Sequence, residues 1–226
     1  MQYFVTSSTP ETEKTDCVVI AVYEESQLSP SASTINTSSN GQIQKLIDRG
    51  DMTGKIGQTL MLQDLDGMNS PRVLIAGCGK QNETTENSFN TIITSVIKAL
   101  DASGANTATS YLNEIDVKQR SASWKTSQTV IAAEASLYKY TSTKSTAPSS
   151  EKPIQSVAFF SESSEKEIQQ AAMQGLAIAN GMGLAKELGN LPGNVCTPSY
   201  LAEQAQSLSE QFGSVTTTIL DEEEME

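Results

Sequence analysis

Ala185-Lys186-Glu187-Leu188-Gly189-Asn190-Leu191-Pro192-Gly193-Asn194-Val195-Cys196-Thr197-Pro198-Ser199-Tyr200-Leu201 reads as the end of one helix, a break, a turn and the start of another. Gly189 and Asn190 tolerate the left-handed conformation that ends helices. Pro192 cannot extend one, because it has no N–H and its ring clashes with the preceding turn. Thr197 offers a side-chain oxygen as N-cap, and Pro198 falls at the first helical position, where a missing N–H costs nothing. Leu201, Ala205, Leu208 and Phe212 then share one stripe, with Gly213 as the stop.

Upstream of this break, Glu165 to Leu188 reads as one long helix. It carries Ala171, Ala172, Gly175, Ala177, Ala179, Gly181, Gly183 and Ala185. Each glycine costs a helix interior ~1 kcal/mol against alanine. Their number implies that another backbone comes close, from a further domain or a second subunit. Downstream, Val215-Thr216-Thr217-Thr218-Ile219-Leu220 is a strand by β-branched content. Asp221 has the chemistry of an N-cap, and Glu222 to Glu224 suit the positive end of a helix dipole. The chain stops one turn later, and we expect a fragment whose second folding unit continues.

The earlier part alternates short apolar runs with helical patterns. Strands are expected at Asp16 to Tyr23, Thr59 to Leu62, Arg72 to Ala76, Thr107 to Leu112 and Ile154 to Phe160. Helices are expected around Ile43 to Ile47, through Phe89 to Leu100, and across Ser123 to Tyr140. Glu24 to Gly41 and Thr141 to Pro153, rich in Ser, Thr and Pro, read as loops. The alternation means an α/β domain with a mixed sheet flanked by helices.

Asn190-Leu191-Pro192-x-Asn194-x-x-Thr197-Pro198, following a small-residue helix that ends Ala185-Lys186-Glu187-Leu188, resembles the domain junction of the leucyl aminopeptidase (cytosol aminopeptidase) family. The likeness is good over 171–226 and extends to 1–165 in general layout. Gly193 departs from it, since the family often has a second proline there. The resemblance implies a non-catalytic, macro-domain-like N-terminal domain at 1–163, a linker helix at 164–190, and the truncated start of an α/β catalytic peptidase domain at 191–226. It further implies a cytoplasmic metallopeptidase, a homo-hexamer when full length, that hydrolyses N-terminal residues from peptides with two divalent metal ions (zinc, manganese or magnesium). The family signature Asn-Thr-Asp-Ala-Glu-Gly-Arg is absent: Asn-Thr at Asn36, Asn90 and Asn106 is followed by Ser38, Ile92 and Ala108. No catalytic, cofactor-binding or metal-binding residue is therefore assigned in this chain, and by itself it is expected to be inactive.

Composition narrows the alternatives. None of the 226 residues is histidine. That removes Ser-His-Asp and Cys-His catalysis and His-ligated zinc. Cys17, Cys78 and Cys196 are odd in number and far apart, as in a reduced protein. The N-terminus has no basic-then-apolar signal pattern, and no run approaches a membrane span. The net charge is −12, divided as −5 before and −7 after the junction near residue 165. A nucleic-acid-binding accessory role, which the family resemblance brings into view, lacks the cationic surface that phosphate binding requires. Gly77-Cys78-Gly79-Lys80 lies between a strand and a helix, where α/β proteins bind phosphates. It fails both glycine fingerprints, with Leu74, Gln81 and Asn82 at positions those motifs reserve for other residues. A plain turn is the favoured reading, and a nucleotide- or ADP-ribose-binding macro-like module is the alternative. The acidic run from Glu222 reads as a solvated helix start, because contiguous glutamates point around a helix instead of converging on a cation. Trp124, alone of its kind, reads as a core aromatic.

Overall fold

The computed structural model describes residues 1–142, 154–161 and 164–224. Six strands form one sheet: β1 (Gln2–Thr6), β2 (Cys17–Val22), β3 (Thr59–Gln63), β4 (Arg72–Gly77), β5 (Thr107–Ser110) and β6 (Ser156–Phe160), in the order β1-β6-β5-β2-β4-β3. All neighbours pair in parallel except β3 and β4, which form an antiparallel hairpin. This is the mixed sheet that the alternation of elements implies.

The helices are α1 (Pro30–Ser38), α2 (Gln42–Asp48), α3 (Glu86–Ala102), α4 (Ala122–Leu137), α5 (Glu165–Asn190) and α6 (Pro198–Gln211), with 3₁₀ turns at Leu112–Glu114 and Glu222–Glu224. Strand β2 shows why the sheet needs helices on both faces. Its six residues are all buried and alternate between two cores. Cys17, Val19 and Ala21 face the core made with α3, α4 and α5, while Val18, Ile20 and Val22 face Ile35 and Ile43 of α1 and α2.

The chain divides into two compact units. One comprises residues 1–138 and 148–180, and the other 139–147 and 181–226. Within the first, α5 buries Ile168, Ala171, Ala172, Gly175 and Ala179 along one stripe. Gly175 has a neighbour of the kind its cost implies, and it belongs to the same unit. A Cβ there would lie 2.7 Å from the Ser127 carbonyl oxygen of α4. Gly181 and Gly183 meet nothing within 4 Å among the described residues.

Five expectations are corrected. Residues 24–41 are not all loop: Ser29 caps α1 by accepting from the amide of Ala32, and Pro30 occupies the first turn. β1 forms where no strand was expected. The run 215–220 is not a strand, because β-branched residues need a ladder and none of the described residues pairs with them. Gly189 and Asn190 do not terminate the helix in a left-handed turn after Leu188: neither has a positive φ, and they are the last two residues of α5. Strand β5 also ends earlier than expected, at Ser110. The Thr141-to-Pro153 loop falls mostly outside the described residues.

In the second unit, the Thr197 hydroxyl caps α6 by accepting from the Tyr200 amide at 3.3 Å, with Pro198 in the first turn. No residue of α6 is buried, and Leu201 and Phe212 of its apolar stripe are exposed.

Candidate functional site

In an open α/β sheet, ligands sit beyond the carboxyl ends of the parallel strands, where the connections leave in opposite directions. Here that place lies at β2, whose neighbours are β4 on one side and β5 on the other. Three sets of residues occupy this edge, and each can be asked what it could hold.

The Gly77-Cys78-Gly79-Lys80 turn follows β4. A phosphate cradle requires backbone amides that point outward with nothing to bond. In this turn the first three are used. Gly77 N donates to the Gln58 carbonyl at 2.8 Å, Cys78 N to Val22 at 2.9 Å, and Gly79 N to Gly54 at 2.7 Å. Close packing enforces the arrangement: a Cβ on Gly77 would sit 2.2 Å from the Lys55 carbonyl oxygen. The helix that should follow the turn is also displaced, since α3 begins at Glu86 with Thr85 as its N-cap. Lys80 lies in a crevice with Glu24, Glu25, Gln27, Gln81, Asn82 and Glu83, so glutamates outnumber the single cation there. The turn is a structural junction between three backbone segments.

The second place is the N-terminus of α1, where the helix dipole favours an anion. The chain fills it with its own carboxylate. Glu114, on the 3₁₀ turn after β5, accepts from the Ser31 amide at 3.0 Å and the Ser31 hydroxyl at 2.8 Å. A phosphate-bearing ligand would have to displace this contact. Beside it, Pro30, Asn113, Glu114, Ala122, Phe160 and Ser161 line a hollow of about 280 Å³. Phe160 is stacked on Tyr111 with ring centroids 4.8 Å apart.

The third is Lys125, a buried cation of α4. Its ammonium donates to the carbonyl of Ile115 at 2.7 Å and to that of Asn113. Loss of water around it lowers its pKa, against the opposing pull of Asp116 and Glu114. It tethers the turn after β5 to α4.

Nothing else among the described residues gathers chemistry. No three of His, Cys, Asp and Glu converge where they could hold a metal ion. The two buried thiols are quiescent, because burial pushes the Cys17 thiol up to about 12 and the Cys78 thiol higher still. Trp124 is half-buried, not fully in the core, and sits beneath Arg120 with 5.1 Å from guanidinium to ring centroid. Arg120 also pairs with Glu86. No helix among the described residues is long and apolar enough to cross a membrane.

Comparison with known proteins supplies what the site does not. The sequence pattern described as "Cytosol aminopeptidase family, N-terminal domain" matches residues 19–147. A "Probable cytosol aminopeptidase" of Vibrio parahaemolyticus is 40% identical over 229 aligned residues, covering 100% of this chain and 45% of that protein. The chain thus spans about half the length of the curated relatives it matches. Among solved structures, a tomato leucine aminopeptidase mutant matches 100% of this chain and 45% of its own, with TM-score 0.79 and 20% identity. The bottromycin maturation enzyme BotP, solved in complex with Mn, matches 88% of this chain and 37% of its own, with TM-score 0.65 and 20% identity.

Proposed function

The chain belongs to the cytosol aminopeptidase family, and from that premise we propose that it is the non-catalytic N-terminal region of a leucyl aminopeptidase. The whole enzyme would remove N-terminal residues from peptides in the cytoplasm. In this reading residues 1–163 form the macro-like domain, 164–190 the linker helix, and 191–226 the opening of the catalytic domain. The observation that carries the proposal is the 40% identity running along the entire chain while covering 45% of the relative.

The metal ions of such an enzyme do not fit the donors described here. Among the described residues the carboxylates are dispersed or already engaged, as Glu114 is on Ser31 and Asp16 on the amides of Asn106 and Thr107. We place the two divalent ions, of zinc, manganese or magnesium, in the remainder of the full-length protein and assign no catalytic step to this chain. Its part would be to shape subunit contacts in a hexamer and to limit access to the peptide site.

The test uses the full-length protein and the 226-residue chain side by side. The full-length protein should hydrolyse leucyl peptide substrates, lose that activity to a chelator and regain it with added divalent ions. The isolated chain should be inactive under all three conditions. Full-length activity that survives thorough chelation, or peptidase activity in the chain alone, overturns the proposal.

A further inference from the structure

Strand β1 closes one side of the sheet, with β6 as its single neighbour among the described residues. The ladder tells which of its groups face outward. Gln2 N donates to the Gln155 carbonyl at 2.8 Å, and the Thr6 carbonyl accepts from Ser161 N at 3.0 Å. Residues 2, 4 and 6 therefore direct their backbone groups at β6, and Tyr3 and Val5 direct theirs away. The Tyr3 carbonyl takes a long contact from the Gln169 side chain, at 3.3 Å.

Exposed edges are usually protected by lysine, proline or a bulge, because an open ladder recruits another strand. Gln2-Tyr3-Phe4-Val5-Thr6 has none of these and no charge at all. Phe4 is 51% exposed at its centre. In a chain of net charge −12, the five residues of this strand bring no carboxylate of their own to a contact between two copies, and Glu13 and Glu134 beside it are engaged by the Thr6 hydroxyl at 3.2 Å and the Tyr3 hydroxyl at 3.0 Å. The flank of α5 next to it forms an open groove lined by Glu165, Lys166, Gln169, Gln170 and Met173, in which one carboxylate is matched by one ammonium.

We infer that β1 is an interface for a second copy of this chain, the two strands running antiparallel about a two-fold axis through Phe4. Of the two-fold registers that set outward-facing residues against each other, this one engages both Tyr3 and Val5. Tyr3 of each copy exchanges hydrogen bonds with Val5 of the other, which uses every outward amide of the strand. Phe4 then lies opposite Phe4 at a non-hydrogen-bonded position, where side chains approach most closely and aromatic pairs contribute most. Such a contact is isologous and closes as a dimer.

The test is sedimentation equilibrium of the 226-residue chain over a wide concentration range, with two variants. Val5→Pro removes one outward amide and leaves the β6 ladder intact, as edge strands tolerate. Phe4→Glu sets two charges face to face at an exposed position and should raise the dimer dissociation constant at least ~10-fold. If Val5→Pro fails to fold by circular dichroism, Phe4→Glu alone decides. Register is read by cross-linking in a Cys196→Ser background, since Cys17 and Cys78 are buried. Under mild oxidation Phe4→Cys should give a disulfide-linked dimer and Gln2→Cys should not, because Gln2 falls opposite Thr6 of the second copy. A monomer at every concentration overturns the inference, whether the edge stays bare or another protein's strand takes it. So does a dimer indifferent to Phe4→Glu, or equal cross-linking at both positions.

Discussion

Two alanine substitutions on a single helix should have opposite effects. At Gly175 an added Cβ would lie 2.7 Å from the Ser127 carbonyl oxygen, 3.1 Å from Ser127 Cα and 3.0 Å from Val130 Cβ. Two of those atoms are backbone of α4 and cannot swing aside. At Gly181 the same Cβ meets nothing within 4 Å. Both changes gain helix propensity, ~1 kcal/mol each. Only Gly175→Ala adds the overpacking term, which runs ~1–3 kcal/mol in a close-packed contact. Gly181→Ala should thus stabilise by ~1 kcal/mol, while Gly175→Ala should fall between neutral and ~2 kcal/mol destabilising. The difference between the variants isolates the overpacking term, because the propensity gain cancels. Urea titration followed by far-UV circular dichroism measures it. Gly181 lies where α5 passes from the first compact unit to the second. Amide exchange across 171–185 therefore has to establish that this stretch opens as one cooperative segment. If Gly175→Ala proves as stabilising as Gly181→Ala, α5 does not approach α4 as described, and the reason for a glycine at 175 is wrong.

Other consequences can be checked as directly. In the native chain only Cys196 should react quickly with a thiol reagent at mildly alkaline pH, and all three cysteines should react in denaturant. The raised thiol of Cys17 makes stability fall at high pH. Its contribution is fully present below the ordinary thiol value near 9.0 and is lost as pH climbs toward about 12, which melts across that window would register. Lys125→Met leaves the carbonyls of Asn113 and Ile115 without their donor and should cost about 1–3 kcal/mol in urea titration. For Lys125 the sign is reversed: its lowered pKa means that raising pH toward the ordinary lysine value relieves a buried charge, so Lys125→Met should remove a gain in stability at alkaline pH. Glu114→Gln weakens the anion at the α1 N-terminus and should cost about 1 kcal/mol, with the loss shrinking in high salt.

What could be read from the chain, and what could not, separates along the range of the interactions. Cys17 to Val22 declared a doubly covered strand because six apolar residues in a row need cover on both faces. Phe89, Ile92, Ile93, Val96, Ile97 and Leu100 declared α3 by their spacing. Thr197 and Pro198 declared the start of α6, since a cap is a contact with the next few residues. In each case the deciding partner is near in sequence. α1 escaped notice because Pro30 to Ser38 has weak helical chemistry, and Glu114, far along the chain, helps to hold its first turn. β1 escaped because Gln2 to Thr6 becomes a strand by pairing with residues 156–160. The failure at 215–220 is the converse: local preference was strong, and no ladder among the described residues answered it.

The carboxyl edge of the sheet carries this one step further, because it shows why a motif can be right in place and silent in chemistry. Gly77 to Lys80 sits where an α/β protein would hold a phosphate, and its glycines are needed there. They are needed so that three backbone segments can close on one another at Gly54, Gly77 and Gly79, not so that a ligand can approach. Glycine permits a near approach without specifying what approaches. The amides of Gly77, Cys78 and Gly79 are already bonded to protein, and Glu114 already answers the N-terminus of α1, so none of these can serve an anion without breaking an existing contact. A fold built for ligands at this edge has here been closed by its own backbone and one carboxylate.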